Sequence, residues 1–254
     1  MEAWVKEFYT AQNDWFGAYL GAIEPTHHER ADLLEQLTEN SSGGSPKRIL
    51  ELGAGGGQTA ICLANRGHEL TTIELLAASN EHIRKLAGYY ELEMQILEGD
   101  FYTLPLAEQF EVVYYFDSFG IGDDAEQRLL LSRISDWLTT DGCAIIEVGS
   151  TWYWGGVAKG QQLDLGVCMR RHDFDAVNSR IIDEWWQYNT PDQIMRQSLR
   201  CYTPADFKML LEGTGLEFVS LQAGGKIDYS TGNFVADVPL NEAMTYFVTV
   251  QKKS

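Results

Sequence analysis

The sequence has few basic residues and no long apolar run. Its 254 residues contain 19 Lys and Arg against 37 Asp and Glu, which gives a formal net charge of −18. Such an acidic surface repels phosphate backbones and argues against a nucleic-acid substrate. No apolar stretch reaches the length that spans a bilayer, and the first residues lack a signal-peptide pattern. We therefore expect no membrane partner and a cytoplasmic location.

Cysteine and histidine are also sparse. The four cysteines lie far apart and form no C-x-x-C pair, so the sequence indicates neither a zinc site nor a disulfide framework. They suit small core positions in a reducing compartment. The run His27, His28, Glu29 combines metal-binding residue types, but adjacent histidines project from different sides of a helix. We expect no metal.

Glycine, by contrast, is concentrated in residues 48–75, the stretch around which the chain is organised. An apolar run ending at Leu52 is followed by glycines, a helical pattern over residues 59–66 and a second apolar run ending on Glu74. This order predicts a nucleotide-binding βαβ unit, whose terminal acid can hold two ribose hydroxyls. A dinucleotide fingerprint would need glycine where the chain has Gln58, which counts against a nicotinamide-dependent oxidoreductase.

The glycine spacing points to a different ligand. Gly53-x-Gly55-x-Gly57, preceded by Glu51, resembles the E/D-x-G-x-G-x-G loop of class I S-adenosylmethionine-dependent methyltransferases. The resemblance covers residues 48–148 specifically and residues 203–250 more loosely. It implies an α/β fold with a Rossmann-like, mostly parallel seven-stranded sheet. The implied strand order is 3-2-1-4-5-7-6, with the last strand antiparallel and helices on both sides.

The resemblance also implies which residues bind the cofactor. Glu51 would lie near the methionine ammonium, and Glu74 would hold the ribose. Asp100 would accept a hydrogen bond from the adenine amino group, and Phe101 would pack on the ring. The candidate cofactor contacts are Glu51, Gly53, Ala54, Gly55, Gly57, Glu74, Leu75, Asp100, Phe101, Asp117 and Ser118. The cofactor would be S-adenosyl-L-methionine, leaving S-adenosyl-L-homocysteine as product.

The remaining segments predict a lid and a cap. Residues 1–40 read as an N-terminal helical lid and residues 46–254 as the methyltransferase domain, with a substrate-cap insertion at about 149–202. In the insertion, three strands are expected at residues 163–170, 180–188 and 193–202. The turn-rich residues 172–179 would join the first two, giving an antiparallel sheet. The helix that follows Asp123 is expected to bury Leu129 and Leu130.

Aromatic residues and five of the eleven arginines cluster in the insertion. Aromatic rings can line an acceptor pocket, and an inward arginine can hold a substrate carboxylate. The alternative is packing on a half-buried sheet with ion pairs between strands. The candidate acceptor contacts, including two from the lid, are Tyr9, Trp15, Trp152, Arg170, Trp185, Arg200 and Tyr202.

The expected reaction is in-line displacement that moves a methyl group to an O or N atom of a small molecule. No catalytic triad is visible in the sequence. None is required, because alignment of the two reactants can supply much of the rate. The candidate catalytic residues are His172 and Asp117. His172 could act as general base for a hydroxyl acceptor, and Asp117 lies at the end of the fourth strand, where the resemblance implies contact with the methionine part of the cofactor and the acceptor. Open alternatives are an oxidoreductase, a cofactor-binding protein without catalysis, and a protein or tRNA methyltransferase. The cap sheet is also a candidate surface for a homodimer.

Overall fold

In the computed structural model, residues 4–39 and 47–253 are described. A seven-stranded sheet lies at the centre. Its strands are β1 (Arg48–Leu52), β2 (Glu69–Glu74), β3 (Gln95–Glu98), β4 (Phe110–Tyr115), β5 (Leu138–Gly149), β10 (Leu216–Ala223) and β13 (Thr245–Lys252). They lie in the order β10-β13-β5-β4-β1-β2-β3, and β13 runs antiparallel to both neighbours. The predicted order is confirmed.

Helices cover both faces of this sheet. They are α2 (Pro25–Thr38), α3 (Gln58–Ala64), α4 (Ala77–Tyr89), α5 (Asp124–Trp137) and α6 (Pro204–Leu210). The first helix, α1 (Trp4–Phe16), packs instead on the antiparallel cap sheet described below. Alternate residues of a strand enter opposite layers. Ile49 of β1 packs into the layer that contains α2 and α3, whereas Leu50 packs into the layer that contains α5 and α6. Burial on both faces explains why these strands read as continuous apolar runs.

Side chains cap three of the helices. The Asp123 carboxylate accepts hydrogen bonds from the backbone N–H groups of Ala125 and Glu126, which starts α5. Thr203 and Asp206 form the corresponding capping box of α6. At α2, the backbone N–H of Glu24 donates to Nδ1 of His27 at 2.9 Å, so this ring serves as a cap. Within the described ranges, no three His, Cys, Asp or Glu side chains are grouped to hold a metal ion.

The cap is a four-stranded antiparallel sheet in the order β6-β7-β8-β9. Its strands are β6 (Gln162–Asp164), β7 (Met169–Asp175), β8 (Arg180–Trp186) and β9 (Met195–Arg200). The expected strand at 163–170 is broken by a turn, in which the Leu165 N–H donates to the Cys168 carbonyl. Residues 172–175 are strand and not turn. His172 and Phe174 pack inward there, so tertiary packing overrides the local turn preference.

Two further predictions need correction or completion. Leu129 is 51% exposed, because the buried face of α5 is set by Leu130, Leu131 and Ile134. A short hairpin, β11 (Lys226–Asp228) with β12 (Asn233–Val235), was not predicted. The structure also contains a 3-10 turn at Ala18–Leu20 and a π-helical turn at Tyr153–Ala158.

The lid and its connector are described in part. Residues 1–3 and 40–46 lie outside the described residues, so the division into a lid at 1–40 and a domain at 46–254 stays a prediction. No described helix is both long and apolar enough to cross a bilayer.

Candidate cofactor and acceptor site

The site begins at the carboxyl end of β1, where Glu51 is 7% exposed. Its Oε2 atom is buried and has no hydrogen-bond partner among the described residues. Burial raises the pKa of this carboxyl to about 8. A buried acceptor without a partner is rare in proteins, and a cationic ligand group would satisfy it.

The glycine loop lies between Glu51 and the end of β2. The backbone N–H groups of Gly53 and Ala54 donate to the Ile73 carbonyl, at 2.8 and 3.3 Å. Gly55 takes a left-handed φ of 54° and donates to Oε2 of Glu74 at 2.8 Å. A Cβ on Gly55 would meet no atom within 4 Å, so the space above the loop is open. The loop is therefore held on one side by its hydrogen bonds to Ile73 and Glu74 and is open on the other side.

Glu74 is fixed at the end of β2. Besides the Gly55 contact, its Oε1 accepts from the backbone N–H of Leu76 at 2.8 Å. The side chain is 7% exposed, and burial raises its pKa. Leu75, which lies between Glu74 and Leu76 in sequence, packs against the buried cluster under the cap. The carboxylate is thus preorganised beside the loop.

Asp100 and Phe101 follow β3, which pairs with β2. Oδ1 of Asp100 accepts from the Tyr102 backbone N–H at 2.8 Å. Phe101 is 7% exposed, and its ring lies 5.2 Å from Tyr115, edge to face. A Cβ on Gly53 would lie 3.9 Å from the Phe101 ring, so this ring is next to the glycine loop. The structure brings the two predicted adenine contacts to the same edge of the sheet as Glu51 and Glu74.

Asp117 and Ser118 follow β4. Asp117 is exposed and has a φ of 69°, which is uncommon for a residue with a side chain. Its backbone N–H donates to Oε2 of Glu147 at 3.0 Å. The Ser118 carbonyl accepts from the Tyr115 hydroxyl at 2.8 Å. Backbone strain of this kind is concentrated at functional sites.

Sequence reasoning missed Arg30, which lies on α2 and faces the same region. Burial would lower the pKa of Arg30, but the carboxylates of Glu147, Asp117 and Glu51 more than offset this and raise it. None of the three forms an ion pair with Arg30 within 4.0 Å in the described part of the chain. A basic residue beside Ala31 and the buried face of α2 was the available signal.

The inner face of the cap carries a hydrogen-bonded network of polar side chains. Arg170 binds Asp183 through two bonds of 2.9 Å, from Nε to Oδ1 and from Nη2 to Oδ2. Nε2 of Gln197 donates to Oδ2 of Asp183 at 2.7 Å. The Tyr9 hydroxyl donates to Oε1 of Gln197 at 3.2 Å and lies 3.1 Å from Oγ of Ser118. This hydrogen-bonded network therefore extends from the cap to the end of β4.

His172 lies next to Asp183 at the inner end of this hydrogen-bonded network and is fully buried. Its Nδ1 is 2.8 Å from the Tyr229 hydroxyl, and its Nε2 is 3.6 Å from Oδ1 of Asp183. Burial and the nearby Arg170 lower the pKa of His172 to about 4. The imidazole is neutral at pH 7 and lies behind Asp183, away from Ser118. This placement favours a structural role over direct proton abstraction.

The other candidate acceptor contacts lie in three different places. Trp15 and Trp185 lie at the interface of α1 with the cap, where the Arg170 guanidinium lies 5.1 Å from the Trp185 ring centre. Trp152 stacks on Tyr246 at 6.1 Å and 17°.

Arg200 and Tyr202 lie elsewhere, at the start of α5. Nε of Arg200 and the hydroxyl of Tyr202 both bind Oδ1 of Asp124, at 3.1 and 2.8 Å. Tyr202 is 1% exposed, within the main core. These contacts favour packing and not acceptor binding for both residues.

Comparison with known proteins agrees with this geometry. Residues 49–142 match a family described as a methyltransferase domain. No curated protein matches the sequence. The CcbJ methyltransferase from Streptomyces caelestis has a similar fold, with a TM-score of 0.73 and 18% identity over 97% of this chain and 98% of that one.

Among the similar structures are some that contain S-adenosylmethionine or S-adenosylhomocysteine. CalS10 from Micromonospora echinaspora, an amino pentose methyltransferase with bound S-adenosylmethionine, has a TM-score of 0.58 and 18% identity over 96% of each chain. The Burkholderia thailandensis 1,6-didemethyltoxoflavin-N1-methyltransferase, solved with S-adenosylhomocysteine, has a TM-score of 0.58 and 14% identity over 98% of this chain and 85% of that one. The family match confirms the resemblance over residues 49–142, and the similar structures confirm the fold.

Proposed function

From the methyltransferase domain at residues 49–142, we infer that the chain is an S-adenosylmethionine-dependent methyltransferase that acts on a small molecule. The observation that carries this inference is the buried Oε2 of Glu51, which makes no hydrogen bond of standard geometry among the described residues and lies beside a glycine loop open on one side. The buried Tyr114 hydroxyl is near enough to lower the pKa of Glu51 but does not reach that geometry. When bound, S-adenosylmethionine supplies an activated methyl group on a sulfonium. The chain has to bind, orient and shield the reactants.

We assign the cofactor contacts by charge and position. Glu51 receives the methionine ammonium, and Arg30, which faces the same region, receives the methionine carboxylate. Glu74 receives the ribose hydroxyls at the end of β2. Asp100 and Phe101 receive the adenine at the end of β3. This arrangement places the reacting end of the cofactor towards Asp117 and Ser118.

We propose that the acceptor atom is nitrogen. An alcohol would need a base, but His172 is buried behind Asp183, and burial raises the pKa of the Tyr9 phenol far above neutral pH. An amine can lose its proton to solvent first. Asp117 presents an exposed carboxylate that would attract an ammonium group. Two of the similar structures are a glycopeptide N-methyltransferase and an N1-methyltransferase.

The acceptor would lie between α1 and the inner face of the cap. Of the predicted contacts we retain Tyr9, Trp15 and Arg170 and propose that Gln197 joins them. We expect a cytoplasmic protein that binds no nucleic acid, because its charge is strongly negative and all four cysteines are free and buried. A homodimer through the outer face of the cap stays a proposal.

Calorimetric titration with S-adenosylhomocysteine tests this function. We expect micromolar binding to the wild type. Glu74→Ala and Asp100→Ala should each weaken it by on the order of 1–3 kcal/mol, through loss of a buried hydrogen bond. Glu69→Ala is the matched control, because Glu69 is exposed at the opposite end of the same strand. Binding of NADH in place of S-adenosylhomocysteine, or equal affinity in all variants, would refute the assignment.

A further inference from the structure

Gln58 holds the lid against the glycine loop. It is the first residue of α3 and is 5% exposed. Its Nε2 donates to two backbone carbonyl oxygens, that of Tyr19 at 3.1 Å and that of Gly21 at 3.2 Å. Residues 17–21, which we call the crossing segment, are thereby fixed over the cofactor loop by a single side-chain amide.

Two other contacts bring the same elements together. A Cβ on Gly56 would overlap the carbonyl oxygen of Tyr19, so the two backbones are in direct contact. Nδ2 of Asn13 on α1 donates to Oγ of Ser79 on α4 at 3.2 Å. Residues 4–21 of the lid therefore touch the cofactor unit at these three points, and Gln58 contributes two of the hydrogen bonds. The later part of the lid, α2, packs separately on α3.

The crossing segment carries Tyr19 into the acceptor region. The Tyr19 ring packs against the buried cluster that contains Trp185 of the cap, and it lies 5.8 Å from the ring of Phe16 on α1. Burial raises the pKa of its phenol to about 12. At the other end of the lid, the Tyr9 hydroxyl contacts Ser118 and Gln197. The lid is thus attached to the cofactor loop at one end and to the cap at the other.

We propose that Gln58 is a positioning residue, which latches the crossing segment onto the glycine loop and so holds Tyr19 between the cofactor and the cap. The latch keeps the bound cofactor covered, and breaking it frees residues 17–21 while α2 stays packed on α3, so no cofactor contact assigned above is removed. The part of this proposal that concerns the cofactor rests on the proposed function. The latch itself is a property of the protein without ligand.

Amide hydrogen exchange of the ligand-free protein tests the latch. The N–H groups of Gly17 and Leu20 are hydrogen bonded within the lid, so their exchange reports its opening. Gln58→Met keeps the size and removes both donors, and we expect exchange in residues 17–21 to rise about 10-fold or more. Thr59→Val, at the next buried position of α3, is the matched control and should leave that exchange unchanged.

A second variant breaks the latch from the other partner. Gly56 does not have a left-handed φ, so Gly56→Ala strains no backbone angle and acts by pushing away Tyr19 and the Gln58 amide. It should open residues 17–21 in the same way, and it keeps the test available if Gln58→Met does not fold. Unchanged exchange in the folded variants, or equal opening in Thr59→Val, would overturn the proposal.

The release of S-adenosylhomocysteine gives a readout that a purely structural role would not change. We expect its dissociation rate to rise about 3–10-fold in Gln58→Met, while thermal stability stays close to that of the control. If the wild type does not bind S-adenosylhomocysteine, the proposed function fails, but the exchange data still decide the latch. Faster exchange without faster release would overturn the role of the latch in covering the cofactor.

Discussion

The Glu51 carboxyl is buried, and its Oε2 makes no hydrogen bond among the described residues. Its protonation state should therefore change when a ligand binds beside it. Burial raises its pKa to about 8, so the acid is mostly protonated at pH 7 in the ligand-free protein. An ammonium group placed beside it favours the ionised form and lowers the pKa. Binding of S-adenosylhomocysteine at pH 7 should therefore release close to one proton.

Calorimetry in buffers of different ionisation enthalpy measures this proton. The wild type should show a dependence on the buffer that Glu51→Gln loses, and Glu69→Ala serves as the control because Glu69 is exposed at the far end of β2. A proton released equally by Glu51→Gln would have to come from another group, such as Glu147, whose pKa is also raised by burial. That result would contradict the ammonium assignment.

The same residue predicts how stability depends on pH without ligand. The pKa of Glu51 is higher in the folded than in the unfolded chain, so its contribution is complete below about pH 4.5 and is lost as pH rises through 8. Between pH 6 and 9, the free energy of unfolding of Glu51→Gln should therefore fall less than that of the wild type, by on the order of 2 kcal/mol. Urea unfolding at each pH measures the difference, and parallel curves would contradict it.

At the scale of elements, the cap sheet contains a matched pair of arginines on neighbouring positions of β7. Arg170 points inward and binds Asp183, whose side chain is 1% exposed. Arg171 is 43% exposed and binds Glu184, whose side chain is 3% exposed and is also bound by Arg196. Removing Arg170 leaves a buried charge without its partner, whereas removing Arg171 leaves Glu184 with a second arginine.

Arg170→Met should therefore destabilise the protein by about 3–5 kcal/mol and Arg171→Met by less than about 1 kcal/mol. Urea unfolding at pH 7 measures both. Replacing the pair together, with Arg170→Met and Asp183→Leu, should recover much of the loss because no unpaired charge remains. Equal losses in the two single variants would show that the inner ion pair contributes no more than the outer one.

The elements that the sequence predicted well share a simple cause. Strands β1, β2, β4 and β5 are buried on both faces, and their apolar runs, bounded by glycine or acid, leave one interpretation. The cap is different, because its strands have one buried face that is partly polar. Arg170, His172 and Asp183 occupy inward positions that local patterns assign to solvent. Only the packing of α1 against the cap identifies that face as internal.

The same distinction separates the two halves of the site. The cofactor contacts lie at the ends of consecutive strands, so their spacing in sequence predicted that they would meet. Arg30 and Gln197 join the site from α2 and β9, and no local motif marks them. Gln58 follows the glycine loop directly, but the motif gives no sign of its contact with residues 19 and 21. The acceptor side is assembled by the lid and the cap, whose arrangement depends on contacts such as Tyr9 with Gln197.

At the scale of the whole molecule, the net charge of −18 has a measurable consequence. Repulsion among the excess carboxylates destabilises the compact state, and salt screens it. The Debye length falls from about 30 Å at 0.01 M to about 8 Å at 0.15 M, so most of the relief occurs in that range. Exposed ion pairs such as Arg48 with Glu111 weaken over the same range, but each contributes at most about 1 kcal/mol.

The melting temperature should therefore rise by about 2–5 °C when NaCl is increased from 10 to 150 mM at pH 7, on the order of 1 kcal/mol for a chain of this size. Choline chloride at equal ionic strength is the control, because screening depends on ionic strength and not on the identity of the cation. A melting temperature that falls with salt would mean that attractive pairs outweigh the repulsion. A rise with sodium alone would indicate ion binding and contradict screening as the cause.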